Sequence, residues 1–180
     1  MKLPRTIRLD PSDGFVFEHA AEPGEWAVTG SFLFWDADIA ALGPKARAGF
    51  RAGFVGVASL GFSTLVAVAE ASEAERDAAV EALAGHLMRR FGAPDRAAAR
   101  AAAREELDFA ASLCDHPVNT ILAMHRRLDG ERIREQFRTL TPRPADPLHA
   151  HARAFDVVAA EDEAPGEAVD LLGLLEAKRP

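Results

Sequence analysis

Two kinds of hydrophobic spacing divide this chain. Between Ser72 and Phe91 the apolar residues recur at helical intervals, with Val80, Leu83, Leu87 and Phe91, flanked by Ala84 and Met88, forming one stripe. Ser72-Glu73-Ala74-Glu75 is a capping box, in which Ser72 and Glu75 each satisfy an otherwise orphaned backbone N–H, so a helix is predicted over 73–91. Arg89 and Arg90 suit the negative end of its dipole, and Gly92 and Pro94 stop it. A second helix is predicted over 95–114, from the N-cap candidate Asp95 through the run RAAARAAAREE. Its buried side would carry Ala99, Ala103, Leu107, Ala110 and Cys114, and residues that small imply close packing. A third, over 44–54, repeats RAGF at a spacing that stacks Phe50 under Phe54, Gly49 under Gly53 and Arg47 under Arg51. Lys45, Arg47 and Arg51 would then form a cationic ridge on a solvated face.

Elsewhere the spacing is that of strands. Thr6–Asp10 and Phe15–Glu18 flank Pro11-Ser12-Asp13-Gly14, all turn formers, which predicts a hairpin. In Glu25–Asp36 the residues Trp26, Val28, Phe32 and Phe34 alternate onto one face, with Leu33 and Trp35 on the other. That pattern predicts a strand anchoring the sheet, with Gly30 marking a bulge or a large neighbour crossing the sheet. Phe62–Glu70 reads as a buried strand. Ile121–Leu128 and Glu131–Leu140 flank Asp129-Gly130, the pair a type I′ hairpin turn wants. Pairing across that turn sets Leu122 opposite Phe137 and Arg126 opposite Ile133, with His125 opposite Arg134 and Arg127 opposite Arg132 on the other face. The expected fold is α+β: one domain over 1–158, a mostly antiparallel sheet with about three helices packed largely on one face. Residues 159–180 follow as an acidic linker, 161–167, and a short apolar segment, 169–175.

Composition narrows the function classes. Lys and Arg total 21 against 28 Asp and Glu, a net charge of -7, so neither nucleic acid nor an anionic membrane is an expected partner. One cysteine forms no intramolecular disulfide, which fits a reducing cytoplasm. No signal peptide and no stretch of ~18 apolar residues is present, so a cytoplasmic location is expected. The glycine-rich GFVGVASLG lacks the Lys-Ser/Thr ending of a phosphate-binding loop.

Candidate chemistry concentrates between Ser112 and Leu140. Cys114 and His116 form a C-x-H pair, and His149-Ala150-His151 is an H-x-H pair whose imidazoles point the same way on an extended chain. Together they would supply one thiolate and three imidazoles, a set suited to zinc. Against that, Cys114 falls on an apolar face at a helix C-terminus, where the dipole disfavours thiolate and a buried, inert thiol is expected. No catalytic residue and no other cofactor is indicated. Asp36 and Asp38 read as turn or N-cap residues. The hairpin carries Arg126, Arg127, Arg132, Arg134 and Arg138, with Arg143 beyond it. These six cations against Asp129, Glu131 and Glu135 leave a local excess of three. They read first as a solvated outer face, and otherwise as a surface for an anionic ligand, an acidic partner or the chain's own tail. Between Phe155 and Ala177 that tail holds seven carboxylates and no Lys or Arg, with Val169, Leu171, Leu172, Leu174 and Leu175 at its end.

The stretches LPRTIRLDPSD, AAEPGEWAV and FAASLCDHP resemble an uncharacterised bacterial family known only as a domain of unknown function, over roughly residues 3–140. The resemblance implies no activity. It carries an association with accessory proteins in metalloenzyme or cofactor maturation. The expectation is therefore a non-enzymatic accessory protein that binds another protein or a second copy of itself. The alternative is a metal-binding protein or metal-dependent enzyme centred on Cys114 and His116.

Overall fold

A computed structural model of the chain describes residues 1–9, 12–130, 132–142 and 155–158, and its architecture is α+β. The larger sheet is antiparallel, in the order β1 (Lys2–Ile7), β5 (Leu65–Glu70), β6 (Ile121–Asp129), β7 (Arg132–Pro142), β8 (Phe155–Val158). A smaller antiparallel sheet joins β2 (Ala27–Val28), β3 (Phe54–Gly56) and β4 (Phe62–Ser63). Of the helices, α1 (Asp13–Val16) is a single turn, α2 (Pro44–Ala52) lies against β6, and α3 (Glu73–Arg90) packs on α4 (Arg96–Ser112), which also touches β1 and β2.

The two long helices start where local chemistry says they should. The Glu75 carboxylate accepts from the Ser72 N–H at 2.9 Å, while Ser72 Oγ accepts from the Glu75 N–H at 3.3 Å. The Asp95 carboxylate accepts from the Ala98 N–H at 2.8 Å. Val80, Leu83, Ala84 and Leu87 of α3 meet Ala99, Ala103, Leu107 and Ala110 of α4, and this cluster closes over Leu3, Val28 and Val55. The alanine face lets the helix axes approach closely, as its small side chains require. A second cluster gathers Ala27, Phe54, Val66, Val68, Leu122 and Met124 around Cys114.

Long-range pairing overrides several local signals. The expected opening hairpin is absent: β1 starts at Lys2 and pairs with β5, and Asp13–Val16 is a helical turn. Its Asp13 carboxylate accepts from Thr64 Oγ1 at 2.6 Å, a tie to the point where β4 gives way to β5. The anchoring strand expected over Glu25–Asp36 shrinks to Ala27–Val28. Gly30, at φ 76°, turns the chain into a 3-10 turn, Ser31–Phe34, that still buries Phe32 and Phe34. The RAGF repeat also splits, with α2 ending at Ala52 and Phe54 entering β3. Gly49 and Gly53 both face the Phe62 ring, from which an added Cβ would lie 2.9 and 2.4 Å.

The β6–β7 hairpin forms, but Asp129 pairs with Arg132, so every pair is shifted by two from the expected register. Arg126 lies opposite Glu135, Met124 opposite Phe137, His125 opposite Gln136 and Arg127 opposite Arg134. A shift of two keeps each side chain on its face. What favours it is the pairing of a buried guanidinium with a carboxylate in place of Ile133.

Gly30 and Gly92 separate conformational strain from steric exclusion. Both have positive φ, 76° and 68°, but a Cβ on Gly30 would lie 2.2 Å from Val55 Cγ2, whereas Gly92 has open space. Gly92→Ala should cost about 1 kcal/mol. Gly30→Ala should cost clearly more, about 3 kcal/mol with the clash added. Urea denaturation of the two variants side by side checks the order.

Candidate functional site

Arg126 is the centre of the hairpin's chemistry, and it is not a surface residue. It shares its strand face with Leu122 and Met124, and its exposure is 0%. Its Nε donates to Glu135 Oε1 at 2.9 Å. Nη1 donates to the Phe50 carbonyl at 2.7 Å and the Gly49 carbonyl at 3.5 Å, which are last-turn acceptors of α2. Nη2 donates to the Thr29 carbonyl at 2.6 Å and meets Met124 Sδ at 3.4 Å. The Phe34 and Phe50 rings lie 5.5 and 5.9 Å from Cζ. Burial draws the guanidinium below its ordinary pKa and Glu135 opposes that. The expectation that Arg126 belongs to an exposed contact surface is therefore corrected: all its donor groups are spent inside the protein.

Glu106 of α4 stands beside this pair. Burial first, then the neighbouring Glu135 carboxylate, push its pKa up to about 7, against the pull of Arg126. Its Oε2 is buried without a hydrogen-bond partner among the described residues. One guanidinium thus serves two carboxyl groups, and the one it does not bond holds its proton up to about neutral pH.

Over Glu135 opens a groove of about 800 Å³ between the hairpin and residues 31–40. Phe34, Trp35, Phe109, Leu128, Ile133 and Phe137 supply its apolar lining, and Asp38, Arg132 and Glu135 its charges. Trp35, Phe109 and Leu128 are 72, 45 and 46% exposed. Across the ridge made by Ile39, Ala40 and Leu128 lies a basin of about 680 Å³ lined by Arg47, Arg51, His125 and Arg127 around Phe50 and Arg126. Among the described residues no carboxylate lines it. The two cationic features of the sequence, the α2 ridge and the hairpin, meet there.

The other singled-out residues are dispersed. Arg134 Nε bridges to Asp129 at 2.5 Å, Arg132 lines the groove, and Arg138 is exposed opposite Ala123. Asp38 caps the 3-10 turn Ile39–Ala41, as expected, by accepting from the Ala40 N–H at 3.0 Å. Cys114 is 2% exposed, its Sγ donates to the Ala110 carbonyl at 3.5 Å, and burial raises its pKa to about 11 despite Lys2 nearby. His116 is half-buried, and its backbone carbonyl accepts from Lys2 Nζ at 2.6 Å. His149, His151 and Arg143 lie outside the described residues. Among the described residues no three His, Cys, Asp or Glu side chains gather as a metal-holding group.

Sequence reasoning missed Glu106, Phe109 and Trp35. A signal existed for Glu106, since Ala103, Glu106 and Ala110 fall at helical spacing on the inward side of α4. Trp35 had none, because its exposure follows from a turn that period-two reading takes for a strand.

The model of a family of unknown function, DUF6505, matches residues 1–156, a span that contains the groove and the basin. No curated protein and no solved structure matches the chain. Among the described residues no helix is long and apolar enough to cross a membrane.

Two measurements probe the buried groups. The unfolded chain releases the Glu106 proton near pH 4.5, whereas the folded protein keeps it to about 7. Stability from this residue is therefore full below pH 4.5 and falls as pH rises to about 7, by on the order of 3 kcal/mol. Glu106→Gln should flatten that part of the pH profile in urea denaturation. At pH 8, Cys114 should resist iodoacetamide in the folded protein and react once it is denatured. Rapid labelling of the native protein would contradict the burial.

Proposed function

Because the chain belongs to the DUF6505 family of unknown function, we propose its role from geometry: a non-enzymatic, cytoplasmic accessory protein that holds an apolar segment of a partner protein in the groove beside the hairpin. One observation carries this reading. Trp35, Phe109 and Leu128 come from three different elements and turn their exposed apolar surface onto one groove. Single exposed apolar residues are ordinary, but several lining one concavity are what a partner's side chains cover.

Two further features support it. Beyond the four residues paired with β8, the outer edge of β7 from Arg132 to Arg138 has no strand partner among the described residues. Its backbone groups are placed to bond an extended segment lying along the groove. The groove floor favours holding over reacting, since the Arg126 donors are all bonded and Glu135 is held by them.

Selection of a displayed random-peptide library on the intact chain tests the role. Peptides with spaced aliphatic or aromatic residues should be enriched. Leu128→Glu and Phe109→Glu should each weaken the selected peptides by about tenfold. Leu128→Glu should leave the melting temperature unchanged, and Phe109→Glu should lower it slightly by removing the edge contact with Phe137. Equal binding by wild type and both variants would remove the groove as the contact surface.

A further inference from the structure

We infer that the chain carries its own ligand for this groove: residues 161–176 dock there in cis, aliphatic side chains against Trp35, Phe109 and Leu128, and carboxylates in the arginine basin across the Leu128 ridge. The inference rests on the groove reading above and names a regulator of the same surface.

Chemistry comes first. Arg51 and Arg127 have no ion-pair partner among the described residues, and Arg47 is pinned at the basin edge by donating to the Ala40 and Leu42 carbonyls at 3.0 and 2.9 Å. In a chain of net charge -7 this carboxylate-free basin is a place where acidic groups are attracted. Groove and basin share Ile39, Ala40 and Leu128, so a ligand lying across them needs apolar residues interleaved with acids. The tail has that composition: Val169, Leu171, Leu172, Leu174 and Leu175 among Glu161, Asp162, Glu163, Glu167, Asp170 and Glu176, with no Lys or Arg between them.

Delivery comes second. β8 runs antiparallel to β7 and places Val158 beside Thr139, so the chain leaves β8 heading toward the hairpin turn, the end at which groove and basin open. From Thr139 to Ile133 the strand covers about 20 Å at ~3.3 Å per residue. The stretch from Val158 to Val169 can span up to about 36 Å, so the tether reaches. Tethering also raises the local concentration to about the millimolar range, enough for a weak contact to be populated and for a partner to have to displace it. The groove lies within the span matched by the family and the docking segment beyond it.

Trp35 reports the contact. In the full chain with Trp26→Phe, Trp35 is the remaining tryptophan, and its quenching by acrylamide measures whether the groove is covered. Changing Leu171, Leu172, Leu174 and Leu175 to Ser should red-shift its emission and raise the quenching constant about twofold. Arg51→Glu with Arg127→Glu should do the same by repelling the acids. Protection should persist on dilution to nanomolar protein. Equal quenching in all three chains, or protection lost on dilution, overturns docking in cis. The Ser variant should also bind the library-selected peptides about tenfold more tightly. Peptides that bind while Trp35 accessibility stays the same in every variant sink the tail and leave the groove reading standing. A protected Trp35 with no peptide selected does the reverse.

Discussion

A guanidinium sealed from water decides how the pieces of this protein meet. Burying a charge costs several kcal/mol unless its donors are matched, and a half-matched set is worse than an apolar core. Arg126 meets that requirement only when four separate segments converge on it: the end of α2 through Phe50, the loop after β2 through Thr29, the 3-10 turn through the Phe34 ring, and β7 through Glu135. The α2 carbonyls are a natural partner, since the negative end of a helix dipole favours a cation. Three of these segments, the end of α2, the 3-10 turn and β7, also line the groove or the basin. The fold and the candidate site therefore share one constraint.

That constraint explains which features were legible in the sequence. The ends of α3 and α4 are written in residues three or four apart, Ser72 with Glu75 and Asp95 with Ala98, so local reading recovers them. The hairpin register was misread because Asp129-Gly130 is a local signal, whereas the pairing of Arg126 with Glu135 answers to contacts with residues near 29 and 50. The same distance in sequence hides the turn at Gly30, whose glycine is required by Val55. The hairpin arginines were legible as cations but not as a set. Alternation with Leu122 and Met124 already placed Arg126 on the inner face, and weighting that parity over charge would have removed it from the surface.

Glu106 links the helical layer to this core. Arg126 gives its short bond to Glu135, and a second ionised carboxylate beside that pair would repel it without gaining a donor. Keeping Glu106 protonated is the lower-cost arrangement near neutral pH. Phe109 lies one turn further along α4 and makes an edge contact with Phe137 of β7, ring centroids 6.2 Å apart. Glu106 and Phe109 thus meet the hairpin from successive turns of one helix, the first at the buried ion pair and the second at the groove wall.

The groove's exposed tryptophan follows from the same clamp. Phe34 and Trp35 are consecutive, and Phe34 is held inward by Arg126, by an edge contact with Phe50 at 5.2 Å and by stacking on Phe62 at 6.1 Å. Rotating the turn to bury Trp35 would withdraw Phe34 from all three, losing a buried aromatic worth about 1.5–3 kcal/mol and uncovering the guanidinium. Trp35 is thus forced outward by what its neighbour must do. Local collapse cannot cover it. Its indole therefore stays 72% exposed on the rim of the groove.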